Sequence, residues 1–259
     1  MSVVEKSSQL AEYWDLVPAI VGGVIGALAG GIPAWLLAKR QSDETLRRDA
    51  TQRTENQKAL AFSASVKLLH IVNSTISLSN HVKMCMAMRK NPKFAHMEPW
   101  QALVPMIGHT DDDSIRFTSE EMAVFAAAGE YDFMQDMMLL AVRNASSLAT
   151  FKKYCEMRDE FRSIGPKPDA FDGQIGTATL THQEADGYKP YTIPLNNVAV
   201  SLDAGLDNDL ELARSVTAQF GPKTKKYFKV EQFVSLSFPT DDELAAMRQP
   251  PDPTVQALR

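Results

Sequence analysis

The densest run of reactive side chains is His81-Val-Lys-Met84-Cys85-Met86-Ala-Met88. On a helix, His81, Met84 or Cys85, and Met88 share one face, because residues three and four apart are neighbours. Imidazole, thiolate and thioether together suit a soft cation such as Cu(I). The same types also fill irregular core gaps near a helix end. The chain has 12 Met, so a local cluster is ordinary and the core reading is preferred.

Other chemistry-bearing runs are weaker. His109 with Asp111, Asp112 and Asp113 offers oxygen ligands for a divalent cation. Successive residues converge on one ion only in a special loop, and no glycine lies within His109–Asp113 to supply the turn, so a solvated acidic loop is expected. Lys223, Lys225, Lys226 and Lys229, interleaved with Tyr227 and Phe228, would suit anionic lipid headgroups, or simply a solvated connector after a helix. Asn73-Ser-Thr75 and Asn144-Ala-Ser146 match the glycosylation pattern but lie inside predicted helices. There is no phosphate-loop motif, H-E-x-x-H, paired C-x-x-C or G-x-S-x-G. No catalytic, cofactor-binding or metal residue is therefore assigned, and a non-enzymatic protein without a cofactor is expected.

The chain has 259 residues, 44% hydrophobic and 23% charged, with a net charge of −5. Those values exclude wholesale disorder, and the acidity speaks against a nucleic-acid binder. Two cysteines are too few for a disulfide framework. One segment departs from this average. Asp15 and Lys39 bracket 23 uncharged residues, Leu16 to Ala38. At helical rise they cover roughly 34 Å, enough for a hydrocarbon core of about 30 Å. Tyr13 and Trp14 at one end and Trp35 at the other suit interfacial anchors. Pro18 sits in the first turn and Pro33 near the exit, where a kink is expected. A cleaved signal peptide is disfavoured: the preceding flank is acidic, and the apolar run continues past the small residues Ala27-Leu28-Ala29.

Lys6 is the one basic residue before the span, whereas Lys39, Arg40, Arg47, Arg48, Arg53 and Lys58 follow it. This asymmetry predicts an outside N-terminus and a cytoplasmic C-terminal domain, in the inner membrane of a bacterium. Gly22, Gly26, Gly30 and Ala34 recur every fourth residue, so one helix face is nearly free of side chains and suits close helix association. The span holds no ionisable residue, which speaks against an ion pathway.

Beyond the span the sequence predicts elements that would position everything else. A polar helical stalk carries the acid-to-base pairs Glu44–Arg48 and Asp49–Arg53. Ala59, Phe62, Val66, Leu69, Asn73 and Ile76 form an apolar stripe for a bundle helix or short parallel coiled coil ending near Lys90. Capping boxes at Thr118–Glu121 and Thr240–Glu243 open helices, and Gly129 and Gly165-Pro166 close two. A long helix carries Phe133, Met137, Leu140, Asn144, Leu148, Phe151 and Cys155. Another runs from Leu195 to Phe220 and stops at Gly221-Pro222. Thr177–His182 and Tyr191–Ile193 suggest a small hairpin or a long loop, and 228–238 a strand that pairs with it.

The expected fold is mainly α, with one transmembrane helix and a bundle-like cytoplasmic domain holding a small β element. Residues 1–15 form the outside terminus, 16–38 the span, 39–58 the stalk, 59–248 the domain and 249–259 a disordered tail. The expected function is a single-pass scaffold, sensor or interaction module that self-associates, with the bilayer, a second copy and an unidentified protein as partners. The alternatives are a membrane-tethered soft-metal protein or enzyme around His81, Cys85 and Met88, and a membrane-perturbing effector.

Overall fold

The computed structural model describes residues 3–106, 115–172 and 175–248, with side chains for 33–106, 115–170 and 178–248. The expectations for His109, Asp111 to Asp113, the tail, Trp14 and the glycines Gly22, Gly26 and Gly30 lie outside the residues described with side chains. The protein is mainly helical. It divides into two compact units, residues 1–56 and 57–259.

In the first unit the backbone is helical from Val3 onward, as the beginning of α1 (Val3–Ala87). Glu44 pairs with Arg48 at 2.5 Å, and the hydroxyls of Thr45, Thr51 and Thr54 donate to carbonyls one turn back. Lys39 lies 5.3 Å from the Trp35 ring centre. α1 is long and apolar enough to cross a membrane. Among the described residues the qualifying stretch lies within Pro33–Lys90 and is 44% buried inside the protein, so part of α1 also serves a core.

The second unit is built on α1 from Gln57, α4 (Tyr131–Ile164) and α5 (His182–Phe228). Short helices α2 (Pro99–Ala102), α3 (Ser119–Ala127) and α6 (Asp241–Met247) lie between and after them. Two buried clusters fix the helix directions. One joins Ala64, Leu68 and Ile71 to Phe133, Met137 and Leu140, and the other joins Leu78, Val82 and Cys85 to Leu148, Phe151 and Tyr154. Numbers rise together, so α1 and α4 are parallel. On α5 the second cluster holds Leu195 to Leu206 and the first Leu210 to Phe220, so α5 is antiparallel to both. Parallel neighbours need a long return connection. Residues 88–130 supply it, with Leu103 in the second cluster and Ile115, Phe117 and Phe125 in or against the first.

The helix starts follow from capping. Thr118 Oγ1 accepts from the Glu121 N–H at 3.2 Å, and Glu121 Oε2 from the Thr118 N–H at 2.7 Å. Thr240 and Glu243 repeat the arrangement, as do Thr181 and Glu184, which the sequence reading passed over. Gly129 at φ 73° closes α3, a left-handed position that favours glycine.

Three expectations need correction. Gly221-Pro222 does not stop α5, which also contains Pro190 and Pro194. Phe220, Gly221 and Thr224 are buried there, and the Thr224 hydroxyl donates to the Phe220 and Gly221 carbonyls, so packing overrides the local break. The expected β element is not supported: Tyr191–Ile193 is helical, and 228–238 forms no strand. The pairing present joins Ala170–Asp172 to Ile175–Thr177, three residues each, at a different place. Phe233, Leu236 and Phe238 instead lie in irregular chain against the first cluster. Finally, α1 turns its stripe outward as far as Asn73, and only Ile76 of it is buried. Its core face is Ala61, Ala64, Leu68, Ile71, Thr75, Leu78 and Val82, whereas Ala59, Phe62, Val66, Leu69 and Asn73 are exposed.

Candidate functional site

His81 and Cys85 do meet, one turn apart near the end of α1. Cys85 Sγ lies 3.7 Å from His81 Nε2, which lies 2.7 Å from the Val104 carbonyl. A carbonyl only accepts, so Nε2 carries the proton and donates it to Val104. Burial alone would lower the His81 pKa, but the contacts with Cys85 and Val104 outweigh it and raise the value above 6.5. For Cys85, burial works to raise the thiol, while His81, the Val104 backbone and the Arg158 charge lower it below the usual range.

α4 completes the group. Tyr154 Oη lies 2.5 Å from the Trp100 carbonyl and 2.6 Å from that of Leu103. Arg158 Nη1 reaches the Leu103 carbonyl, the Trp100 carbonyl at 3.2 Å and Tyr154 Oη at 3.1 Å. The phenol's single proton is shared between the Trp100 and Leu103 carbonyls, and Arg158 donates to Leu103 and to the phenol oxygen. Burial raises the Tyr154 pKa well above its usual range, so the phenol keeps the proton it donates.

These donors converge on carbonyls at and just past the end of α2, groups that a short helix leaves without partners. The arrangement therefore caps α2 and fixes the return connection to α1 and α4. It is poorly disposed to hold a soft metal. Nε2 is committed to a carbonyl, Met84 points outward, and Met88 lies in the 3-10 turn after α1. Among the described residues no three His, Cys, Asp or Glu side chains are grouped to hold an ion. Cys85 is 1% exposed, so a reagent reaches its sulfur only if the connection lifts.

Of the lysine cluster, Lys223 is committed to Glu130 and lies 5.4 Å from the Phe133 ring centre. Lys225 and Lys226 sit in the last turn of α5, where positive charge opposes the helix dipole.

What remains is apolar surface. On α1, Phe62, Val66 and Leu69 are 54%, 47% and 42% exposed, in one row with Ala59 and Asn73. On α4, Tyr131, Met134, Gln135, Met138, Leu139 and Val142 line a shallow depression of about 450 Å³. Large apolar residues exposed in contiguous rows mark interaction surfaces. The α1 row is the stripe that the sequence offers to a bundle helix or a short parallel coiled coil; nothing in the sequence singles out the α4 row. Comparison with known proteins finds no matching family model, curated relative or solved structure.

Proposed function

We propose that this protein is a membrane-anchored interaction module without catalytic activity. One N-terminal span, Leu16 to Ala38, holds a helical domain on the cytoplasmic side of a bacterial inner membrane. The uncharged run and the six-to-one excess of Lys and Arg after it support the anchor and its direction. The observation that carries the interaction role is the row Phe62, Val66 and Leu69, exposed on a helix whose opposite face is fully used in the core. The Gly22, Gly26, Gly30 and Ala34 row offers a second association element within the bilayer.

The test uses the full chain in its own membrane. The protein should resist alkaline extraction, and a reporter active only outside the cytoplasm should stay silent when fused after Arg259. A photo-crosslinking residue at Leu69 should give a discrete adduct, and one at exposed Glu120 should not. Release by alkali would remove the anchor, and no adduct at Leu69 would remove the docking role.

A further inference from the structure

The exposed row on α1 has the spacing of a coiled-coil seam. Ala59, Val66 and Asn73 recur at seven residues, with Phe62 and Leu69 between them, giving steps of three and four. We infer that this seam docks against the same seam of a second copy, parallel and in register, with Asn73 opposite Asn73. The inference rests on the interaction-module reading and names the occupant of its surface.

Three observations select a second copy. The first is continuity with an interface already formed. The seam's next positions are Ile76 and Asn80, and the chain's own α6 covers them. Arg248 Nε donates to Asn80 Oδ1 at 3.0 Å, Asn80 Nδ2 lies 3.6 Å from Met247 Sδ, and Leu244 is buried in the cluster that holds Ile76. This face of α1 thus already accepts one helix, and α6 marks where the open part ends.

The second is self-complementary chemistry. Between Ala59 and Ser77 the exposed flanking residues are His70 and Ser77, with no carboxylate to select a basic partner; Glu55, exposed at the preceding position of the same repeat, bounds the apolar seam on its other side. The Asn73 amide has a donor and an acceptor on one group, so it satisfies a second Asn73 and fixes the register.

The third is size. Three half-exposed side chains are far less than the ~800 Å² per partner of a stable interface. Such a seam needs help from high local concentration. A copy anchored in the same bilayer receives it, because tethering raises the effective concentration into about the millimolar range. Both anchors precede the seam, which imposes the parallel orientation.

The test is same-residue disulfide formation in the full chain in vesicles, in a Cys155→Ser background with Cys85 left buried. Val66→Cys and Leu69→Cys should oxidise to dimers at least roughly five-fold faster than Val142→Cys, because a disulfide forms only where Cβ atoms come within about 4.5 Å. Val142 is the control: apolar, 65% exposed, and on α4. Adding Asn73→Lys should reduce the Leu69→Cys dimer by a similar factor, and circular dichroism should show the fold retained, since the residue is at the surface. Equal rates at 66, 69 and 142 would overturn the homodimer. If Leu69 also gives a photo-adduct only with a different protein, the docking surface stands and the second copy is wrong. If it gives none, both readings fail.

Discussion

Asn144 on α4 donates its side-chain amide to the Thr75 hydroxyl on α1 across 3.0 Å, and both residues are buried. Thr75 in turn donates to the Ile71 carbonyl at 2.9 Å, so its one hydroxyl both accepts and donates. The pair sits between the parallel helices near the junction of the two clusters, where a shift by one turn would leave two polar groups in apolar surroundings.

Thr75→Val removes that hydroxyl at nearly constant volume and strands the Asn144 amide. Denaturation of the detergent-solubilised full chain, followed by helical circular dichroism, should show a loss of about 1–3 kcal/mol. The double variant Thr75→Val with Asn144→Leu should recover most of it, since removing both partners leaves nothing unsatisfied. Additive losses would mean that the bond is not what holds the helices in register.

Glu121 is buried in the first turn of α3, bonded to Ser63 Oγ at 2.6 Å and Lys67 Nζ at 2.9 Å on α1. Burial alone would raise its pKa, but Ser63, the Thr118 N–H and Lys67 together hold it below 4.5. The folded value is the lower one, so the carboxylate stabilises the fold above pH 4.5, and that contribution disappears as pH falls through the folded value. Glu121→Gln keeps the capping box and loses the charge. Its thermal midpoint should lie below the parent's by a constant amount from neutral pH down to about 5, and the gap should close in stronger acid. A gap that persists unchanged into acid would assign the effect to packing.

The two long helices after the connection were legible because each has one apolar stripe. Phe133, Met137, Leu140, Asn144, Leu148 and Phe151 are buried as their spacing predicts, and so are Leu195 through Phe220 on α5. α1 was harder because it has two rows with the same three-and-four spacing. The row with larger side chains, Phe62, Val66 and Leu69, reads as the seam of a bundle helix or a short coiled coil, yet the row buried in the domain starts with Ala61, Ala64 and Ser65. Small residues let a neighbouring backbone approach closely, a benefit that appears only once the neighbour is in place. The cap around Val104 was legible only in part. His81 and Cys85 share a face by spacing, but Tyr154, Arg158 and the carbonyls they serve are brought together by the return connection. No local pattern encodes that.

The thiols offer a check on this cap. Cys155 is half-buried, and burial and then the Asp159 charge raise its pKa, whereas Cys85 is nearly inaccessible although its surroundings favour the thiolate. Access should decide. At neutral pH the folded full chain should show one slowly reacting thiol toward a bulky aromatic disulfide reagent, absent in Cys155→Ser, and a second only in denaturant. Arg158→Met withdraws one donor from the Leu103 carbonyl and the phenol, and should let Cys85 react without global unfolding. If Cys85 reacts as fast as Cys155 in the parent, the connection does not seal the sulfur.

The glycine row and the α1 seam make separable predictions about association. Gly26 stands at the centre of the row, with Gly22 and Gly30 one turn away on either side. Two helices crossing there would gain dispersion contacts along the groove. Gly26→Ile places a branched side chain in that groove while raising hydrophobicity, so insertion should survive and any loss is attributable to packing. Val24→Ile, off the row, is the control. In an association assay on residues 10–42 alone, which lack the seam, Gly26→Ile should weaken the signal clearly and Val24→Ile should not. In the full chain the seam remains, so Gly26→Ile should reduce but not abolish association, and Gly26→Ile combined with Asn73→Lys should abolish it. If Gly26→Ile leaves residues 10–42 associating as well as the parent, the glycines are compositional, and the seam from Ala59 to Asn73 must hold any oligomer alone.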